Sequence, residues 1–223
     1  TEKGQTIGII GGTGSGKTTL INLIPRFYDV TDGTIRVDGQ DIRNIKLSDL
    51  RNHIGIVQQD VYLFAGTILE NIRYGKPDAS REEVIRAAKE ANAHEFIMNF
   101  PDGYDTDIGQ RGVKLSGGQK QRLSIARALT GDTQLVVFDD SFSALDFKTD
   151  AALRHALAAE TNGRAVLIIA QRVSTVQHAD QIVVLSDGQV AGIGKHGELM
   201  ADCEVYREIV ESQTKEPAMG EEA

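Results

Sequence analysis

The sequence predicts an α/β domain with a largely parallel sheet and an inserted helical lobe, an expectation that rests on three observations. Short apolar, β-rich runs alternate with helical patterns toward both ends of the chain. A glycine-rich turn at 11–16 joins one such run directly to a helical pattern. Between about residues 80 and 130 the alternation gives way to helix.

Each element has a local reason. Residues 5–10 form a β-rich run that breaks into the glycine turn. A helical pattern over 18–26 follows and stops near Pro25, before a turn at 31–33. Segments 34–37 and 54–57 are expected strands near the loop, with Asp38-Gly39 as the turn after the first. Ser80 with Glu83 three residues on, ahead of Val84, Ala87, Ala88 and Ala91, has the capping-box spacing that opens an amphipathic helix. Helix continues to about Pro101. Residues 115–129 open with two glycines and continue as a basic, amphipathic helix. The continuous apolar run 134–138, ending in Asp139 and Asp140, reads as a buried parallel strand. A helix is expected over 151–159, a second buried strand over 165–169, and a hairpin of 182–185 with 190–193 around Ser186-Asp187-Gly188. A last helix near 206–210 precedes a polar tail expected to be disordered. The resulting division is 1–79 and 131–213 as two parts of one core, 80–130 as the helical lobe, and 214–223 as the tail.

Composition narrows the function classes. The chain has 223 residues, 40% of them hydrophobic and 25% charged, enough for a sizeable core without staples. Its single cysteine, Cys203, cannot form an internal bridge, which fits a reducing compartment. The longest apolar stretches, 7–10 and 165–170, fall far short of the roughly 18 residues of a spanning helix. Residues 1–5 lack a targeting pattern. With 24 Lys and Arg against 32 Asp and Glu, a net charge of −8 and no basic run, nucleic acid is not an expected partner.

Gly11-Gly12-Thr13-Gly14-Ser15-Gly16-Lys17-Thr18 satisfies the P-loop pattern, and Thr19 continues it into the helix. Glycines let the backbone curl so that successive N–H groups face phosphate oxygens, and the helix adds its positive end. In such a site Lys17 bridges the β- and γ-phosphates of ATP and the Thr18 hydroxyl ligates Mg²⁺. The metal shell also needs a carboxylate at the end of a neighbouring buried strand, and Asp139 supplies one.

Leu115-Ser116-Gly117-Gly118-Gln119, followed by Lys120-Gln121-Arg122, resembles the signature of the ABC ATPases, which also have a P-loop. Over roughly residues 4–212 the order of motifs agrees: Gln59 after a strand, the signature, the Asp139 strand, then Ser143-Ala144-Leu145-Asp146 as the D-loop. The resemblance implies a P-loop NTPase core with an ABC-type helical subdomain. It implies a head-to-tail dimer in which each ATP lies between one domain's P-loop and the other's signature and D-loop, including Asp146. Segments 63–72 and 106–112 look like the parts of ABC exporters that touch the coupling helices of the membrane domain. A place at the cytoplasmic face of the membrane follows from that resemblance.

The sequence departs from the family at three places. Asp140 stands where exporters with two working sites usually have glutamate to polarise water, and is one methylene shorter. Gln171, ahead of Arg172-Val173-Ser174-Thr175, stands where the family has its switch histidine; it can hydrogen-bond a γ-phosphate but cannot carry a proton. Gln110 replaces a frequent glutamate in the cross-linking loop. Asp140, Gln171 and Gln59 are therefore the catalytic candidates, with Gln59 also a metal candidate. The first two resemble the less active half of a heterodimeric multidrug-type exporter, and drift or an engineered pair of substitutions would leave the same residues. Nothing aromatic precedes Phe27 where the family has an adenine-stacking residue, so the chain reads as a piece of a longer polypeptide. The alternatives are a regulatory module that binds nucleotide without turnover, and a soluble ABC ATPase of the repair or translation type.

Overall fold

The computed structural model describes residues 1–141 and 163–214. Its centre is a six-stranded sheet built from β1 (Thr6–Gly11), β4 (Ile54–Val57), β5 (Leu135–Asp139), β6 (Ala165–Ala170), β7 (Gln181–Ser186) and β8 (Gln189–Gly194). The strand order is β4-β5-β6-β1-β7-β8; every neighbouring pair is parallel except the β7–β8 hairpin. The expected α/β class and mostly parallel sheet are both present.

Period-two alternation sorts the strand side chains into two cores, one on each face. Ile10, Val136, Phe138, Val166, Ile168 and Val184 join the larger core, together with residues of the helical segments. Ile7, Ile9, Val137, Leu167, Ile169 and Leu185 join the smaller one, which Ile21 of α1 (Lys17–Leu23) covers. All six residues of β6 are buried, which is why this segment reads as a continuous apolar run.

The register decides where chemistry can occur. Ile10 pairs with Ala170, Asp139 with Ile169 and Val57 with Phe138, so four parallel strands end at one edge of the sheet. The segments leaving that edge hold the P-loop, Gln171, Asp140 and Gln59. Ligands of open parallel sheets bind outside the strands' carboxyl ends.

The helices that follow β4 are α3 (Ile68–Arg73), α4 (Arg81–Glu90) and α5 (His94–Met98), and α6 (Gly117–Thr130) packs against both α3 and α4. Both ends of α6 are held by specific bonds. Ser116 caps its start, and Arg164 Nη2 at the foot of β6 donates to the Leu129 and Gly131 carbonyls, 3.3 Å each, at its finish. Among the described residues no helix is long and apolar enough to cross a membrane.

Several boundaries differ from expectation. α1 ends at Leu23, because Pro25 has no N–H for the next helical bond and Arg26 turns left-handed at φ 55°. Residues 34–37 do not join the main sheet. Only β2 (Arg36–Val37) forms there, paired antiparallel with β3 (Gln40–Asp41) in a separate ribbon. The turn between them has positive φ at both Asp38 and Gly39, the geometry that returns a strand on itself after two residues. The helix expected over 151–159 lies outside the described residues, as does the expected tail 214–223 except for Thr214, which is the last residue of the final helix.

Candidate functional site

The glycine turn is shaped by close approach and by handedness. A Cβ on Gly11 would lie 2.3 Å from the Leu185 carbonyl oxygen and 2.6 Å from Ser15 Oγ, so only glycine lets β1 run this close to β7. Gly14 and Gly16 have φ of 79° and 92°, in the left-handed region that glycine enters without strain. Ser15 N–H donates to the Gly12 carbonyl at 3.2 Å and closes the turn. No side chain caps the start of α1, whose first-turn N–H groups are left for a ligand.

Lys17 is buried, and its ammonium donates to the Gly11 and Gly12 carbonyls at 2.7 Å each and to Ser15 Oγ at 3.3 Å. Burial lowers its pKa, and the neighbouring Asp140 and Asp139 partly offset that. The ammonium is thus anchored inside the loop and electrostatically tied to the two carboxylates.

Thr13 through Thr19, Gln59, Asp139, Asp140 and Gln171 line one cleft of about 250 Å³. Gly12 takes part through its carbonyl. The carboxyl of Asp139 has a raised pKa, first because it is half-buried and then because Asp140 lies close; the Thr18 hydroxyl and Lys17 pull it back. Burial likewise raises Asp140, against the pull of Lys17 and Arg172. Two crowded carboxyls beside a hydroxyl make a place where a cation lowers the energy.

The donor set fits Mg²⁺. Thr18 is hydrogen-bonded to Asp139 and Gln59 lines the same cleft, all presenting hard oxygen ligands. Among the described residues no group of three or more His, Cys, Asp or Glu could hold a metal alone. A metal here would complete its shell with phosphate oxygens and water, as Mg²⁺ commonly does.

Asp140 adopts φ 45°, a left-handed conformation that Asp tolerates better than most residues, with its N–H donating to the Ile169 carbonyl at 3.0 Å. Gln171 Nε2 donates to Asp140 Oδ2 at 3.3 Å, so two of the three departures from the family pattern touch each other. Ser141, which sequence reasoning passed over, is buried. Its hydroxyl bonds the Val57 carbonyl at 2.7 Å and the Asp139 carbonyl at 3.2 Å, tying the end of β4 to that of β5.

Ser116, Gly117, Gly118 and Gln119 do not line this cleft. They form the start of α6, where Ser116 Oγ accepts from Gln119 N–H at 3.3 Å and Gln119 Oε1 accepts from Ser116 N–H at 2.9 Å. Ser116 and Gly117 are exposed, and a Cβ on Gly117 would meet nothing within 4 Å. This end of the helix is open to solvent. Asp146 lies outside the described residues.

A third surface lies beside α3. Buried Asn71 brackets the Phe64 backbone, accepting from its N–H and donating to its carbonyl at 2.9 Å each. Arg127 of α6 donates to the Asn71 and Tyr62 carbonyls at 2.9 Å. Above it Phe64 stacks on Tyr74 at 4.4 Å, with Tyr62 edge-on at 5.2 Å. All three rings are exposed.

Comparison with known proteins gives one consistent answer. Residues 1–143 match the family model described as ABC transporter. Staphylococcus aureus proteins of strains NCTC 8325 and Mu50, named as multidrug export ATP-binding/permease proteins, are 51% identical over 212 residues, 95% of this chain. The chain spans only 37% of the length of those relatives. The solved structure of a bacterial Atm1-family ABC exporter with ATP bound superposes with a TM-score of 0.91 at 43% identity, covering 96% of this chain and 38% of that one. On its motifs, its fold and these relatives, the chain belongs to the ABC transporter family, as an ATP-binding domain of the exporter type.

Proposed function

We propose that this chain is the ATPase engine domain of an ABC exporter, that its own nucleotide site turns over slowly, and that its Leu115–Gln119 segment completes the site of a second ATPase domain. The main support is the convergence of Lys17, Thr18, Asp139 and Gln59 on one cleft that also holds Asp140 and Gln171, two residues that depart from the family. The solved relative's bound ATP agrees with the choice of nucleotide.

Residue roles follow from the chemistry. Lys17 exchanges its loop carbonyls for β- and γ-phosphate oxygens, and the first-turn N–H groups of α1 accept the remaining charge. Thr18 and Asp139 would hold Mg²⁺, with Gln59 of the same cleft as a further oxygen ligand. When bound, the ion neutralises charge that builds on the transferred phosphoryl group. Asp140 is one methylene short of the glutamate that would orient the attacking water, and a misplacement of roughly 1 Å costs on the order of a hundredfold. Gln171 can donate to a γ-phosphate oxygen but cannot share a proton. The exposed start of α6 is free for a nucleotide held by a partner domain. We assign the aromatic group Tyr62, Phe64 and Tyr74 to the contact with coupling helices of a membrane domain, which places the chain at the cytoplasmic face.

The test is turnover at a concentration where two copies associate. The chain alone should hydrolyse Mg·ATP very slowly, and Asp140→Glu with Gln171→His should raise the rate at least tenfold. An unchanged rate in a verified dimer would show that these two residues do not limit the site.

A further inference from the structure

We propose that Gln213, on the last helix, is a positioning residue that holds the 171–173 turn so that Gln171 reaches the γ-phosphate. The proposal rests on the reading of Gln171 given above. Gln213 belongs to α9 (Glu204–Thr214), 42 residues beyond Gln171. Its side-chain amide grips both ends of the turn. Nε2 donates to the Gln171 carbonyl at 2.7 Å and Oε1 accepts from Val173 N–H at 2.8 Å.

The second bond supplies something the turn lacks. Val173 is the first residue of the short helix α7 (Val173–Val176), whose own N-cap, Arg172, makes no side-chain capping bond. Gln213 provides the missing acceptor from another helix. Val173 is buried and α9 packs against both α7 and β7, so the backbone on the far side of the grip is fixed by the core. On the near side the Gln171 amide is in the cleft, 3.3 Å from Asp140 Oδ2. One amide therefore connects the end of the fold to a polar group hydrogen-bonded to Asp140. The grip needs a side chain that both donates and accepts, as the Gln amide does with its separate N–H and oxygen.

Binding of ATP and ADP by the isolated chain separates positioning from general support. Gln213→Leu should weaken Mg·ATP binding three- to tenfold and leave Mg·ADP within about twofold. Gln171→Ala should show the same ATP-selective loss, and the double variant should lose no more than either alone, as expected for two residues acting through one contact. Gln213→Glu keeps the acceptor for Val173 but turns an oxygen toward the Gln171 carbonyl. It should melt near the parent temperature and still show the ATP-selective loss. An ATP-selective loss in Gln171→Ala with none in either Gln213 variant, or equal losses of ATP and ADP in the latter, overturns the proposal and leaves the nucleotide site standing. No selectivity in Gln171→Ala itself would instead refute the reading of Gln171, and the role of Gln213 with it.

Discussion

Replacing Gly11 by alanine is the sharpest perturbation of the loop, because the obstacle is backbone on a neighbouring strand. The added Cβ would lie 2.3 Å from the Leu185 carbonyl oxygen, inside the 3.0 Å that real Cβ atoms respect, and 2.6 Å from Ser15 Oγ. Ser15 can rotate, but Leu185 is fixed in β7 by its pairing with Gly11 on one side and Val190 on the other. The β1–β7 pair must open by roughly 0.7 Å, and overpacking of that kind costs about 2–3 kcal/mol. For a chain of this size the melting temperature should fall by about 4–12 °C. The same shift moves the Gly11 carbonyl that anchors Lys17, so Mg·ATP binding should weaken at least tenfold. Gly12→Ala is the control, since a Cβ there meets nothing within 4 Å and φ is not positive; its melting temperature should stay within about 1 °C. Thermal denaturation without nucleotide, read by circular dichroism, measures both. Equal melting of the parent and Gly11→Ala, or an equal loss in both variants, would refute the strand approach described here.

Asp139→Asn should raise the melting temperature of the nucleotide-free chain at neutral pH while abolishing Mg²⁺-dependent ATP binding, as expected where a functional carboxylate is held at a cost in stability. The sign follows from its raised folded pKa. Protonation favours the folded chain fully below the ordinary value of 3.8, and that benefit is lost as pH rises through the raised value. The advantage of the Asn variant should therefore shrink below about pH 4, and melting curves across pH with a constant difference would contradict it. Competition among Mg·ATP, Mg·GTP and Mg·ITP should show little base preference, since no aromatic ring among the described residues lines the cleft to stack on a base; a tenfold preference for ATP would mean that this chain reads the base.

Sequence reasoning reached the site because its motifs follow strand ends, and parallel pairing brings those ends together whatever lies between them. Asp139 was legible from the four-residue apolar run Leu135–Phe138, and Lys17 from its glycines. Other parts were local but short. Thr67 and Glu70 form the same reciprocal cap as Ser80 with Glu83, yet the helix they open, α3, is only six residues long, too short for its apolar residues to show a helical period. Its stability comes from buried Ile68 and Ile72 and from Asn71 gripping Phe64, contacts that no window of sequence displays. Segment 34–37 had β-branched residues but also a turn that ends its strand after two residues, and the turn won. Ser141 and Gln213 were invisible for a different reason. Their partners, Val57 and Gln171, lie 84 and 42 residues away, so these bonds exist only once the sheet has assembled.

The central proposal is an asymmetry: that the cleft of this chain is poorly suited for ATP turnover, and that the chain serves hydrolysis through the start of α6. Ser116→Arg and Lys17→Ala, measured side by side in the full-length transporter that contains this chain, test it directly. Ser116 is exposed at a helix start, so arginine there has room; it removes the α6 cap, a loss of about 1 kcal/mol, and puts a bulky cation where the partner's γ-phosphate would lie. Ser116→Arg should nearly abolish ATPase and transport, and Lys17→Ala should leave a measurable fraction of both. Equal and complete loss from the two substitutions would show that the sites work symmetrically and would contradict the account.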